Sequence, residues 1–561
     1  MLSCNCLVRV AGFLLALVSA AATDWSPRQF GAAADGRTLD TVAFQQAVDA
    51  AHKAGGGLVR VEPGTYLIGT IELRGGVTLH LETGATLLGS PHLADYRRGN
   101  WPALILARGQ ERVAITGEGV IDGQGKLVAE DTLRIYTSGN YVDFFPGLKP
   151  GGKVFTGTGT DPEPWIDPYA MQAAGTLAKR VAPRDREDVA TWRVDEFVRP
   201  QLLEFWQCRD VRVSGVTLKN AANWVQTYRE CDDVVITGLR VESTTYWNND
   251  GLDVVNCRRV RITDCDINAA DDGICLKSDP SPDGRWCEDI FIARCRIRSS
   301  ASALKLGTAS HVGFRRVQVE DLEVYDTYRS AVALETVDGG VMEDIKVRRV
   351  RARNTGNAIF LRIGQRNLAQ PPGRLRNIEL SDMEVQVPEG PPDAGYDHAG
   401  PPLKVAANLI PSSIVGLPDR PVENVTLRNL TITYGGGARR DRAEVPLSRL
   451  DQVPEQRSNY PEFSMFGELP AWGFFLRYAD GVRFENVTLR LAAPDYRSAV
   501  VADRVQSLAL HRVKIKSAGE NPVLVLSGVA GETLTEVEWP AGAGEHVLRQ
   551  PAPAALPTGA K

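Results

Sequence analysis

The sequence predicts an all-β chain: a single right-handed parallel β-helix with an N-terminal capping helix and loop insertions. Three observations carry that reading. A short pattern, an apolar residue followed by V/I-x-V/I and a second apolar residue, recurs as CRDVRVSGV (208–216), CDDVVITGL (231–239), CRRVRITDC (257–265) and CEDIFIARC (287–295). It returns as FRRVQVEDL (314–322), MEDIKVRRV (342–350), LRNIELSDM (375–383), VENVTLRNL (422–430) and FENVTLRLA (484–492). The spacings of 23, 26, 30, 27 and 28 residues, then 33, 47 and 62, fit one coil each, with insertions in the later ones. The alternation has the period of a strand, and no helical pattern lies between repeats, which excludes βαβ units. Finally, a second strand recurs in the same coils: NDGLDVV (249–255), DDGICLK (271–277), SALKLG (302–307), SAVALE (330–335) and NAIFLR (357–362). One coil cannot bury its apolar row alone; stacking at ~4.8 Å closes a continuous core.

The elements follow in chain order. Residues 1–22 place Arg9 before a short apolar run and Ala20, Ala21 and Ala22, the pattern of a removable export signal. The run is shorter than the ~20 residues a membrane span needs, so the expected protein is exported, periplasmic or extracellular, with no membrane span. A single β-helix domain is expected over 23–561, capped at about 26–60. Val42, Phe44, Ala47, Val48 and Ala51 share a helical face that would cover the open end of the coil, and Gly55, Gly56 and Gly57 stop the helix. Insertions at about 124–200, 387–421 and 435–480 interrupt the rhythm and carry Trp165, Trp192, Tyr396, Tyr460 and Trp472. Solenoid insertions gather on one face. Their aromatic rings suit a sugar-binding groove or the packing of the insertions themselves.

Composition narrows the function. With 64 Lys and Arg against 69 Asp and Glu, there is no basic footprint for nucleic acid and no acidic tail. Cys208, Cys231, Cys257 and Cys287 share one rung position, where later coils have Phe314, Met342, Leu375, Val422 and Phe484. Cys265 and Cys295 share another, and of the seven cysteines beyond the export segment, which holds Cys4 and Cys6, only Cys275 falls outside both rows. Positions that accept Phe, Met and Leu are core positions, so these thiols are expected to pack rather than bind metal or cross-link.

The second strand gathers the chemistry. Leu252, Ile274, Leu304, Val332 and Ile359 form one inward row, and Asp253, Lys277, Lys305, Glu335 and Arg362 point outward. At the leading edge stand Asp250 and, one coil on, its aligned partner Asp272, with Asp271 beside it at opposite parity. Crowded carboxylates push one pKa up, which suits general acid–base cleavage of a glycosidic bond. Calcium capture, or Asp residues capping ordinary turns, would use the same pattern.

These segments resemble the polygalacturonase family of pectin-degrading glycoside hydrolases (glycoside hydrolase family 28). Asn249-Asp250-Gly251-Leu252-Asp253 is similar to its N-T-D-G-x-D segment, Asp271-Asp272-Gly273 to its D-D segment and Leu361-Arg362-Ile363 to the R-I of its R-I-K segment. GTASHVGF (307–314) stands where the family has a Gly/His-rich segment, and the opening at 30–69 is similar to that of many pectin-active β-helix proteins. The resemblance implies an inverting hydrolase with Asp271 as general acid, Asp250 and Asp272 holding and deprotonating water, and His311 tuning the acid or touching substrate. Arg362 would grip a sugar carboxylate, with Lys277, Arg329 and Asn249 as further substrate contacts. The family Lys is Gly364 here and the Thr of N-T-D is Asn249, so galacturonan and rhamnogalacturonan both stay open as substrates. The expectation is a monomeric hydrolase of pectic polysaccharide needing no cofactor or metal. Two rivals stand beside it: a lyase or epimerase on the same fold, and a non-catalytic carbohydrate-binding solenoid.

Overall fold

The computed structural model describes residues 24–97, 101–138, 198–390, 408–442, 447–517, 519–542 and 545–552, with short pieces at 154–155, 193–194 and 392. The proposed export segment 1–22 and Trp165, Trp192 and Tyr396 lie outside the described residues. Thirty-four strands join one continuous sheet wound as a right-handed parallel β-helix. Successive coils pair as parallel ladders, with register shifts such as the one between Leu276 and Ser278, so the backbone donors of a rung find acceptors one coil away.

The V-x-V repeat is one wall of the coil. Val211, Val234, Val260, Ile290, Val317, Ile345, Ile378, Val425 and Val482 align rung on rung. The position just before this row makes the corner. Asp210, Asp233, Arg259, Asp289, Arg316, Asp344, Asn377 and Asn424 all have φ between +52° and +58°. Asp and Asn tolerate that left-handed backbone because their side chains bond locally, which explains their recurrence there.

The cysteine row is core, as expected. All seven thiols among the described residues are free and buried, and Cys287, Phe314, Met342 and Leu375 pair in succession. One register expectation fails. Phe484 pairs with Leu427, and Ala479 takes the place opposite Val422. The insertion before this coil leaves the repeat spacing uninformative, and only ladder pairing sets the register.

Helix Thr41–Lys53 covers the open end, with Ala43, Phe44, Ala47, Val48 and Ala51 buried. Val42, expected on that face, is 68% exposed. Asp40 makes no cap bond; its carboxylate instead accepts the backbone N–H groups of Ala33 and Ala34 at 2.7 and 3.0 Å. A second helix, Gly125–Ser138, opens the first insertion. Trp472 is buried at the start of strand Ala471–Leu491 and belongs to the core, not to a groove.

Candidate active site

The active face is the second strand of each coil. Strands Leu252–Val255, Ile274–Ser278 and Leu304–Ser310 stack in parallel, with Leu252, Ile274, Leu304, Val332 and Ile359 aligned inward. Period-two alternation then sends Asp253, Cys275 and Lys305 outward on one row, and Lys277, one coil past Val255, on the next. Asp250 and Asp272 stand two residues before the paired Leu252 and Ile274, so they occupy equivalent rung positions. Electrostatic repulsion couples Asp250 to both Asp271 and Asp272.

The three carboxylates differ in their partners. Asp250 accepts the Lys277 ammonium at 2.8 Å, and that ammonium also reaches Asp253 at 2.5 Å. Asp272 accepts the Lys305 ammonium at 3.0 Å and the Ser302 backbone N–H at 3.1 Å. Asp271 holds no ammonium. It accepts only the Asp272 backbone N–H at 3.0 Å and the Asn248 amide at 3.5 Å. Its pKa is raised, by burial first and then by repulsion from Asp272. Burial also works to raise Asp272, but Lys305, Lys277 and Arg329 together outweigh it and hold that carboxyl below the usual range. Burial pushes Asp250 well up and Asp253 to about 6, with Lys277 opposing both. The two neighbouring carboxyls are thus driven in opposite directions, the division that acid–base chemistry requires.

Asp250, Asp253 and Cys275 could converge on a metal ion. The Lys277 ammonium fills that space, 2.8 and 2.5 Å from the carboxylates and 3.1 Å from Sγ of Cys275. It supplies the positive charge that a cation would bring.

Several predicted contacts are corrected. Arg362 does not face substrate: it is fully buried and donates to the carbonyls of Gly416, Glu455 and Gln456 at 3.2, 2.7 and 3.1 Å. Asn249 is also fully buried, and its amide ties together the carbonyls of Ala221 and Asn223, both at 3.0 Å. It shapes the turn that presents Asp250. Lys277 is engaged by carboxylates rather than left open for a sugar. His311 bonds the Ser278 carbonyl through its backbone N–H and its ring. Its ring also lies 3.9 Å from Asp338, and none of its described contacts is to the three aspartates. Arg329 does lie at the site: it pairs with Glu462 at 2.7 Å and acts electrostatically on Asp271.

Residues outside the predicted set complete the cluster. Lys305 is 3% exposed and lies between Asp272 and Glu335, 4.0 Å from the latter. Burial raises Glu335 to about 7. Its place in the outward row was visible in the sequence. Tyr460 and Glu462 arrive from the insertion before strand Ala471–Leu491, and no periodic signal points to them.

Residues 186–327, which contain all three aspartates, match the family model "Glycosyl hydrolases family 28". A probable polygalacturonase of Vitis vinifera is 23% identical, over 78% of this chain and 83% of its own length. An exo-poly-alpha-D-galacturonosidase of Dickeya chrysanthemi is 26% identical over 52% of this chain, which spans about half, 49%, of that relative. Among solved structures, a hyperthermoactive exopolygalacturonase from Thermotoga maritima superposes with a TM-score of 0.56 at 22% identity. That match covers 83% of this chain and 92% of the other, and it supports the parallel β-helix fold. The chain is similar to glycosyl hydrolase family 28 over residues 186–327 and to polygalacturonases along much of its length, and it is a glycoside hydrolase.

Proposed function

We propose that the protein is an exported hydrolase of pectic polysaccharide, acting on galacturonan or a rhamnogalacturonan by an inverting acid–base mechanism. The observation that carries the reading is the unequal pairing of the three aspartates: Asp250 and Asp272 each hold a buried ammonium, and Asp271 holds none. Asp271, kept protonated by burial and by its charged neighbour, donates its proton to the leaving glycosidic oxygen. Asp250 and Asp272 hold a water, and Asp272, the carboxyl held low by its cationic neighbours, takes its proton as it attacks the anomeric carbon from the opposite face of the sugar. The C–O bond to the leaving group breaks as the new one forms, so the product anomer is inverted. Relatives named for polygalacturonan cleavage support the substrate class.

The test is hydrolysis of galacturonate and rhamnogalacturonate oligosaccharides, followed by proton NMR of the first product anomer. An inverted anomer in wild type, lost in Asp271→Asn, upholds the proposal. A retained anomer, or an unsaturated product absorbing in the ultraviolet, would replace it with a retaining or a lyase mechanism.

A further inference from the structure

The segment 453–466 crosses the active face and is tied down on both sides of Tyr460. Arg362 holds the Glu455 and Gln456 carbonyls. The Gln365 backbone N–H donates to the Arg457 carbonyl at 2.7 Å, and Arg329 pairs with Glu462. Phe463 and Phe466 are buried beneath, 3% and 4% exposed, in an apolar cluster with Val453 and Leu450. Between these anchors Tyr460 keeps 49% of its surface open. The large apolar side chains left exposed among the described residues are Leu39, Val42, Leu127, Leu368 and Tyr460, and Tyr460 is the aromatic one. Its hydroxyl is fixed at the floor of the site, accepting Thr308 Oγ1 at 3.0 Å and the Lys305 ammonium at 3.3 Å. That ammonium is the one on Asp272. An apolar ring therefore stands open to solvent, immobilised by its polar end, next to the carboxylate proposed to activate water.

We propose that Tyr460 is a substrate-binding residue: its exposed ring is the stacking platform for a pyranose unit of the polysaccharide beside the scissile bond. A pyranose presents a face of C–H groups, which gains more against an aromatic ring than in water, while its rim of hydroxyls stays free for hydrogen bonds. The anchored loop has already been ordered by Arg362, Arg329 and the phenylalanines, so binding does not have to order it. The platform rests on the hydrolase reading above and adds to it a residue and a sugar-ring subsite.

The test separates the two. In the Asp271→Asn background, binding of tri- and pentagalacturonate and of a rhamnogalacturonate oligosaccharide is measured by titration calorimetry, with Tyr460→Ala, Tyr460→Leu and Tyr460→Phe added singly. Tyr460→Ala and Tyr460→Leu should weaken binding of the preferred oligosaccharide about tenfold, the size of one lost aromatic face, and Tyr460→Phe should stay within about threefold. In the active enzyme the first two should raise KM with kcat little changed. Equal affinities in all three variants, or equal losses in all three with kcat falling at constant KM, would show that the hydroxyl merely supports Lys305 and would overturn the platform. The hydrolase reading survives that result as long as the oligosaccharides bind and are cleaved; binding of none of them would remove both.

Discussion

The same outward face of the coil buries charge in two places and to different ends. Over residues 250–335, five carboxyls, Asp250, Asp253, Asp271, Asp272 and Glu335, lie around three cations, Lys277, Lys305 and Arg329. Over residues 362–503 the buried ions are mostly guanidiniums. Arg362 faces three carbonyls, and Arg477 donates to the carbonyls of Val453 and Leu450 at 2.8 and 2.6 Å and to Asp503 at 2.8 Å. In the second region the planar donors meet fixed acceptors, with Nε of Arg362 left over, and they hold an insertion in place. The first has more acid than base, so some of its carboxyls keep their protons. Burial of charge alone marks neither region as catalytic; the unmatched excess of carboxyl does.

The comparison can be broken most forcefully at Asp271. Asp271→Asn should cut kcat by about 10²–10⁴-fold with the fold intact, read by oligosaccharide turnover and circular dichroism. Next comes Lys305. Asp271 must be protonated to act and Asp272 ionised, so activity should fall as pH rises through the raised pKa of Asp271 and as it drops through the lowered pKa of Asp272. Lys305→Met should move the acid limb of kcat/KM to higher pH and cost about 10–100-fold near the original optimum, with Lys305→Arg restoring part of it. An unmoved acid limb would show that Lys305 does not set the ionisation of Asp272.

In the guanidinium-rich region the expected loss is of stability. Arg362→Met strands the carbonyls of Gly416, Glu455 and Gln456 and should cost about 3 kcal/mol, read as a lower denaturation midpoint. A full loss of turnover with unchanged stability would put Arg362 back among the substrate contacts. Glu335 tests a finer point. Its folded pKa, about 7, lies above its ordinary value of 4.5, so the folded state binds the proton more tightly. Its contribution therefore makes the protein less stable as pH rises from about 4.5 to 7. Glu335→Gln should flatten that part of the stability–pH curve, measured by thermal melts from pH 4.5 to 8. The smallest expected effect is that of a chelator: with the Lys277 ammonium among Asp250, Asp253 and Cys275, EDTA should leave turnover unchanged.

How much was legible follows the range of each interaction. The inward rows, the cysteine ladder and the pairing of Asp250 with Asp272 could be read directly, because a coil repeats its pattern and burial punishes a slipped register. Arg362 was misjudged because an outward strand position says nothing about what lies over it, and here segment 453–466 does. His311 was proposed on a Gly/His-rich string aligned across a stretched segment, and its described contacts are to Ser278 and Asp338 rather than to the aspartates. Tyr460 was seen as an aromatic in an insertion, with no sign of its neighbour, since Lys305 is 155 residues away in sequence.

By itself, then, the order of residues determined the solenoid, its core rows and the rung shared by the aspartates, all consequences of local alternation repeated once per coil. Which carboxyl meets an ammonium, which arginine is covered and which exposed ring is fixed beside Lys305 were decided only by folding. Those facts depend on burial and on contacts between distant segments, and no periodicity encodes either.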